Sequence, residues 1–232
     1  MRRFAGLLSV FLLLSSGACQ SQGGTPSLDT DDQKASYGIG HQMGSQIAPA
    51  ESHLDLDAFM AGIRDGMAGA ETAVPQDQLQ VALQALNDAV RAEETVRREE
   101  AAETNAAEGA TFLAENATKE GITVTESGLQ YEVLREGDGA TPGPEDRVSI
   151  HYKGTLLDGT QFDSSYDRGA PAEFGVNGVI EGFSEGLQLM PVGSHYRFFI
   201  PAEIGYGPSG SGRVIGPNAT LVFEVEMLEI VE

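Results

Sequence analysis

The period of the apolar positions changes near residue 125 and divides the chain into two regions of different architecture. Between Asp31 and Gly121 the apolar residues recur at helical spacing, and nothing signals a strand. A first helix is expected over Asp31–Ile47, with Tyr37, Met43 and Ile47 beside Gly38, Gly40 and Gly44, and with Pro49 helping to end it. A second opens at Asp57 as N-cap and carries Phe59, Ile63 and Met67 at spacing four, with Gly62 and Gly66 between them. Each interior glycine costs a helix roughly 1 kcal/mol relative to alanine, so this many predict close backbone packing. The two helices hold too few large apolar side chains for a core of their own. A partner chain is expected to complete it, giving a homodimer through residues 31–90.

A third helix begins near Pro75, a good residue for a first turn, and continues to about Asn116. Its stripe is Leu79, Leu83, Leu86 and Val90, after which the pattern fails. Arg91 to Gly109 is mostly Glu, Arg and Ala, strong in helix propensity with little to bury. The segment predicts a solvated helix joining two bodies, with a disordered charged linker as the alternative.

From Glu126 onward Gly and Pro become frequent and the period falls to two. Strands are expected over 130–135, 147–156, 161–163, 172–174, 194–200 and 220–231, with one short helix over 182–189. One helix against a mostly antiparallel sheet is an α+β domain of roughly 100 residues. Within it Val148, Ile150 and Tyr152 alternate with polar residues, Asp158-Gly159 supplies a turn, and the next strand ends in Phe162-Asp163. An aromatic hydroxyl, a phenyl ring and a carboxylate thus meet on neighbouring strands.

Composition narrows the chemistry. The chain has 232 residues and a formal net charge of −21, from 14 Lys+Arg against 35 Asp+Glu. No basic cluster could neutralise phosphates, so nucleic acid is a poor partner. The N-terminus carries Arg2-Arg3, an apolar run from Phe4 to Leu14 and small residues to Ala18, the form of a secretory signal peptide over residues 1–18. Cys19, the single cysteine, falls where cleavage is expected, and a lone cysteine makes no internal disulfide. Ser16-Gly-Ala-Cys19 looks like a bacterial lipobox, in which the thiol is lipidated; simple cleavage leaving a free thiol is the alternative. Residues 19–30 would then form a flexible tether.

Several chemistries are excluded. The four His (41, 53, 151, 195) lack metal-ligand spacing, so no metal is expected. Ser194-His195 are adjacent on a strand and point to opposite faces, which removes a hydrolase pair. The Gly207 to Gly212 loop lacks the lysine of a phosphate loop, and no strand precedes Gly38-x-Gly40-x-x-x-Gly44 as a dinucleotide fingerprint requires. No cofactor is expected.

Six segments carry a family likeness: Ser127-Gly-Leu-Gln-Tyr131, Val148-Ser-Ile-His-Tyr-Lys-Gly154, Gln161-Phe-Asp-Ser-Ser165, Val179-Ile-Glu-Gly-Phe-Ser-Glu-Gly186, Ile200-Pro-Ala-Glu-Ile-Gly-Tyr-Gly207 and Asn218-Ala-Thr-Leu-Val-Phe-Glu-Val225. In order and content they resemble the FK506-binding-protein (FKBP) class of peptidyl-prolyl cis-trans isomerases. The helical half resembles the dimerisation domain and long connecting helix (about 75–117) of the macrophage-infectivity-potentiator-like bacterial lipoproteins of that class. The resemblance implies a helical dimerisation domain over 31–125 and an FKBP-like isomerase domain over 126–232.

It also implies a proline pocket of Tyr152, Phe162, Asp163, Phe174, Val179, Ile180, Phe183, Tyr206 and Phe223. Phe183 stands where the family often has Trp, and Ser211 where many members have an aromatic or His. By the same resemblance Arg168 pairs with Asp163, Ile215 is an apolar wall, and the Ile180 amide and Tyr206 hydroxyl bind substrate carbonyls. The activity implied is rotation of X–Pro bonds in folding envelope proteins, with associated chaperone activity. The rival is a non-catalytic dimeric chaperone or proline-peptide binding module. By the same resemblance Gln20 after Cys19 implies an outer-membrane lipid anchor on the periplasmic side, with a soluble periplasmic or cell-surface protein as the alternative.

Overall fold

The structure is a computed structural model and describes residues 27–231. The signal peptide, Cys19 and most of the tether lie outside those residues. The chain forms two compact units that divide between Met60 and Ala61. The first contains α1 (Asp31–Ile47), a 3-10 turn (Ala48–His53) and the start of α2 (Leu56–Ala68). A capping box opens α1, where the Gln33 amide donates to Thr30 Oγ1 (3.2 Å) and the Thr30 amide to Gln33 Oε1 (3.0 Å). Helix α2 starts two residues earlier than expected. Its capping carboxylate is Asp55, which accepts from the Ala58 amide at 2.9 Å, and Asp57 lies inside the first turn.

No residue of α1 or α2 is buried. The close backbone packing expected of their glycines is absent among the described residues: a Cβ added at Gly38, Gly40, Gly44, Gly62 or Gly66 would meet none of them within 4 Å. Tyr37, Ile39, Met43, Leu56, Met60 and Met67 stand exposed instead.

The second unit continues with α3 (Gln76–Asn116), then β1 (Ile122–Val124), β2 (Gln130–Arg135), β3 (Arg147–Leu156), β4 (Gln161–Ser164), β5 (Ala172–Gly175), α4 (Glu181–Leu187), β6 (His195–Ile200) and β7 (Leu221–Val231). The seven strands form one antiparallel sheet in the order β1-β2-β6-β7-β3-β4, with β5 also paired to β3. Sequence patterning missed β1, which has three residues and is too short to show a period. Strand β3 organises the site. One edge pairs with β7 along its full length, and the other takes β5 on residues 147–150 and β4 on 153–155.

Alternation along β3, β6 and β7 sends Val148, Ile150, Tyr152, Tyr196, Phe198, Ile200, Phe223, Val225 and Met227 into one core beneath α4. Two glycines let that helix approach. A Cβ on Gly182 would stand 2.6 Å from Ile200 Cγ2, and one on Gly186 would stand 2.7 Å from Phe198 Cζ. A larger side chain at either position would lift α4 from β6.

The later part of α3 differs from expectation. Arg91 to Gly109 is helical and mostly exposed, as expected, but Asn105 bonds the Pro217 carbonyl and Gly109 is buried, and beyond it Asn116 is buried and Phe112 packs on Phe199 with ring centroids 5.6 Å apart.

Candidate active site

The polar corner of the site follows from register. Gly154 pairs with Asp163 across β3 and β4, which brings the carboxylate beside the inward-facing ring of Tyr152. The Tyr152 hydroxyl donates to Asp163 Oδ2, and Arg168 Nη1 pairs with Asp163 Oδ1. Arg168 Nη2 also donates to the Tyr152 oxygen at 2.9 Å, and the Ser164 amide donates to Asp163 at 2.8 Å. The guanidinium carbon lies 5.3 Å from the centroid of the Tyr152 ring. Each side chain in this triangle is bonded to the other two.

Charge is settled by the same contacts. Burial opposes ionisation of Asp163, yet bonds from Tyr152 and Arg168, the Arg168 charge and the Ser164 amide together hold its carboxyl below the usual 3.8. Burial, then the bond to Asp163, pushes the Tyr152 hydroxyl above its ordinary 10.0. The lowered carboxyl stabilises the fold above pH 3.8, and that contribution is lost as pH falls through its still lower folded value. The raised phenol stabilises it below pH 10.0, and that contribution is lost as pH climbs through its higher folded value. Turnover governed by this triangle is therefore expected to be flat between about pH 5 and pH 9, as a pH profile of kcat/KM would show. A bell centred near neutrality would contradict it.

Aromatic rings build the rest. Phe223 stands 5.4 Å from Phe162 and 4.7 Å from Phe183, and Tyr152 meets the edges of Phe174 and Phe183 at 5.6 and 6.2 Å. They enclose a cavity of about 670 Å³. All nine expected pocket residues line it: Tyr152, Phe162, Asp163, Phe174, Val179, Ile180, Phe183, Tyr206 and Phe223, together with Ile215. Ser211 lines it too. Arg168 does not, and acts on it through Asp163 and Tyr152. Phe183 lines it, 4% exposed and edge-on to Phe198. At Gly154 a Cβ would stand 2.6 Å from Phe162 Cζ and 2.9 Å from Phe223 Cε1, so only glycine leaves both rings in place.

Both donors expected to bind substrate carbonyls are unengaged. Among the described residues neither the Ile180 amide nor the Tyr206 hydroxyl has a protein partner, whereas the Ile180 carbonyl accepts the first bonds of α4. No three of His, Cys, Asp and Glu among the described residues are grouped to hold a metal ion.

The fourth wall is the loop of residues 205–219, and α3 braces it. Arg98 Nη2 donates to the Ser209 carbonyl (2.9 Å), Asn105 Nδ2 to the Pro217 carbonyl (2.8 Å), and Asn218 Nδ2 to the Ala102 carbonyl (3.3 Å). Asn218 has φ 55°, a left-handed conformation that asparagine tolerates. Asn105→Ala removes one brace and orphans a half-buried carbonyl. We expect a rise in KM of about two- to fivefold with a melting shift of only a few degrees, measured by peptide kinetics and calorimetry.

The sequence matches the model for FKBP-type peptidyl-prolyl cis-trans isomerases over residues 139–228, and the model for the domain amino terminal to FKBP-type peptidyl-prolyl isomerase over residues 32–133. The chain belongs to the FKBP-type peptidyl-prolyl cis-trans isomerase family. It is 51% identical over 209 residues to the FKBP-type 22 kDa isomerase of Escherichia coli (strain K12), covering 89% of this chain and 98% of that one. It is 41% identical over 204 residues to the outer membrane protein MIP of Legionella longbeachae, covering 88% of each. Among solved structures it resembles FkpA from Escherichia coli, with TM-score 0.66 and 35% identity over 88% of this chain and 98% of that one. The reaction of this FKBP-type enzyme is cis-trans isomerisation of peptidyl-prolyl bonds.

Sequence reasoning passed over four residues of the cavity, Gly178, Gly212, Arg213 and Val214, and the bracing residues Arg98, Asn105 and Asn218. Only Asn218 lay in a quoted family segment.

Proposed function

We propose that the X–Pro bond turns inside the cavity formed by the β3–β4 hairpin, α4 and the 205–219 loop, by withdrawal from water rather than by acid, base or nucleophile. The observation that carries this reading is the lining itself: rings and aliphatic groups around Asp163, whose carboxylate is already matched by Arg168, with Arg213 the one other charged lining residue. A planar amide resists rotation by about 18–20 kcal/mol because of its resonance, and uncatalysed X–Pro bonds take tens to hundreds of seconds to turn. The twisted bond loses that resonance and its carbonyl is less polar. A dry slot therefore disfavours the planar, hydrated form relative to the twisted one. Each ~1.36 kcal/mol of difference gives a factor of ten in rate.

In this reading the Ile180 amide and Tyr206 hydroxyl hold the substrate carbonyls, and Asp163 keeps Tyr152 and Arg168 in register. Amide NMR during titration with a proline tetrapeptide tests it. Shifts at Ile180, Tyr206 and residues 211–215, accompanied by cis-trans exchange of the peptide, are expected. Shifts centred on residues 31–90 without exchange would favour a purely binding role.

The exposed apolar residues of α1 and α2, beside glycines that no other described residue approaches, support a homodimer through residues 31–90. We assign residues 31–125 to dimerisation and chaperone action on unfolded clients, and 126–232 to isomerisation. The likeness to a protein named for the outer membrane supports a cell-envelope location. A signal peptide over 1–18, lipid on Cys19, a tether over 19–30 and a place on the periplasmic side of the outer membrane complete the reading. Mass spectrometry of the mature N-terminus is expected to find Cys19 acylated; an unmodified thiol would rule the anchor out.

A further inference from the structure

Of the side chains lining the cavity, only Asp163 and Arg213 are charged. Asp163 is matched by Arg168, which leaves Arg213 as the uncompensated charge of the site. Among the described residues Arg213 makes no ion pair, hydrogen bond or ring contact.

Its support is built rather than slack. Ser211 and Ile215 exchange backbone hydrogen bonds of 2.8 and 3.2 Å, closing a short turn with Gly212, Arg213 and Val214 at its tip. Gly212 has φ 59°, which glycine adopts freely and which tightens that turn. On either side the turn is tied down where Arg98 bonds Ser209 and Asn105 bonds Pro217. A cation is thus presented beside a proline slot on a braced loop, with no internal partner to release before a ligand binds.

Resting on the isomerase pocket described above, we infer that Arg213 selects substrates with an acidic side chain next to the proline. The preference runs against the rest of the molecule, whose net charge of −21 repels acidic chains at long range. Screening decides between the two effects. At physiological ionic strength charges more than about 8 Å away are largely masked, whereas a carboxylate held in the slot's mouth meets Arg213 directly. A partly exposed pair of this kind changes specificity by about two- to fivefold.

The test is exchange NMR on Ala-Glu-Pro-Phe, Ala-Gln-Pro-Phe and Ala-Lys-Pro-Phe, with Ala-Leu-Pro-Glu and Ala-Leu-Pro-Gln probing the other side of the proline. Each protein is judged by ratios between peptides, so any change common to all of them cancels. Wild type is expected to prefer Glu over Gln on at least one side by about two- to fivefold and to disfavour Lys. The preference should shrink at about 0.5 M salt. Arg213→Gln should bring the ratios near unity, and Arg213→Glu should invert them. Ratios of one in wild type, or ratios unmoved in Arg213→Glu, would overturn the inference while Gln-peptide turnover leaves the isomerase pocket standing. No turnover of the Gln peptide by wild type would bring down both.

Discussion

Truncating Phe183 to alanine lowers kcat/KM for a proline tetrapeptide by at least about tenfold and stability by about 3 kcal/mol, the low end for a buried phenylalanine. The low end applies because the hole does not remain sealed. Phe183 lines the cavity and packs edge-on against Phe198 of β6, so its removal joins the void to the slot and lets water reach β6. The ring also leaves Tyr152, Phe198 and Phe223 without their shared edge and face contacts. A wet slot restores hydration to the planar amide, and that is why the rate falls further than stability alone requires. Urea unfolding and peptide kinetics at a temperature where both proteins are folded separate the two effects. Phe183→Leu, which keeps the lining apolar, should retain most of the rate; equal loss in both variants would deny the importance of dryness.

The second large effect lies in the helical region. Ile39 and Met43 are 61% and 40% exposed, one turn apart on α1. If a second copy covers them, Ile39→Asp with Met43→Asp places two carboxylates in an apolar contact, at a cost of several kcal/mol in association. Sedimentation should show a monomer at concentrations where the parent is a dimer. Tetrapeptide turnover should stay within about twofold, since neither residue lies at the cavity, whereas assistance to a refolding protein should drop about tenfold. An unchanged dimer would place the interface elsewhere.

Much of the site was legible because it is made of strong local signals. The alternation of Val148, Ile150 and Tyr152, the Asp158-Gly159 turn and Phe162-Asp163 define a hairpin whose register then forces the Tyr152–Asp163 contact. The remaining walls came from resemblance, since nothing in period or spacing links Phe183 to Phe223. The seam of α3 was hidden for a different reason. Arg98, Ala102, Asn105 and Gly109 recur at spacing three to four, but they hold the loop through side-chain bonds to carbonyls and through small size, to which a hydrophobic pattern is blind. The cap at Asp55 was not legible because it and Asp57 both precede the same apolar run, and only backbone geometry separates them. Arg213 carried no signal, since a lone arginine among glycines is indistinguishable from a solvated loop residue.

In the proposed mechanism the X–Pro bond turns without a proton in flight. The most direct test is kcat/KM for a proline tetrapeptide in light and heavy water at matched points of the flat pH region. Rotation driven by withdrawal from water predicts a ratio near unity. A ratio of about two or more would put a proton transfer in the transition state and contradict it.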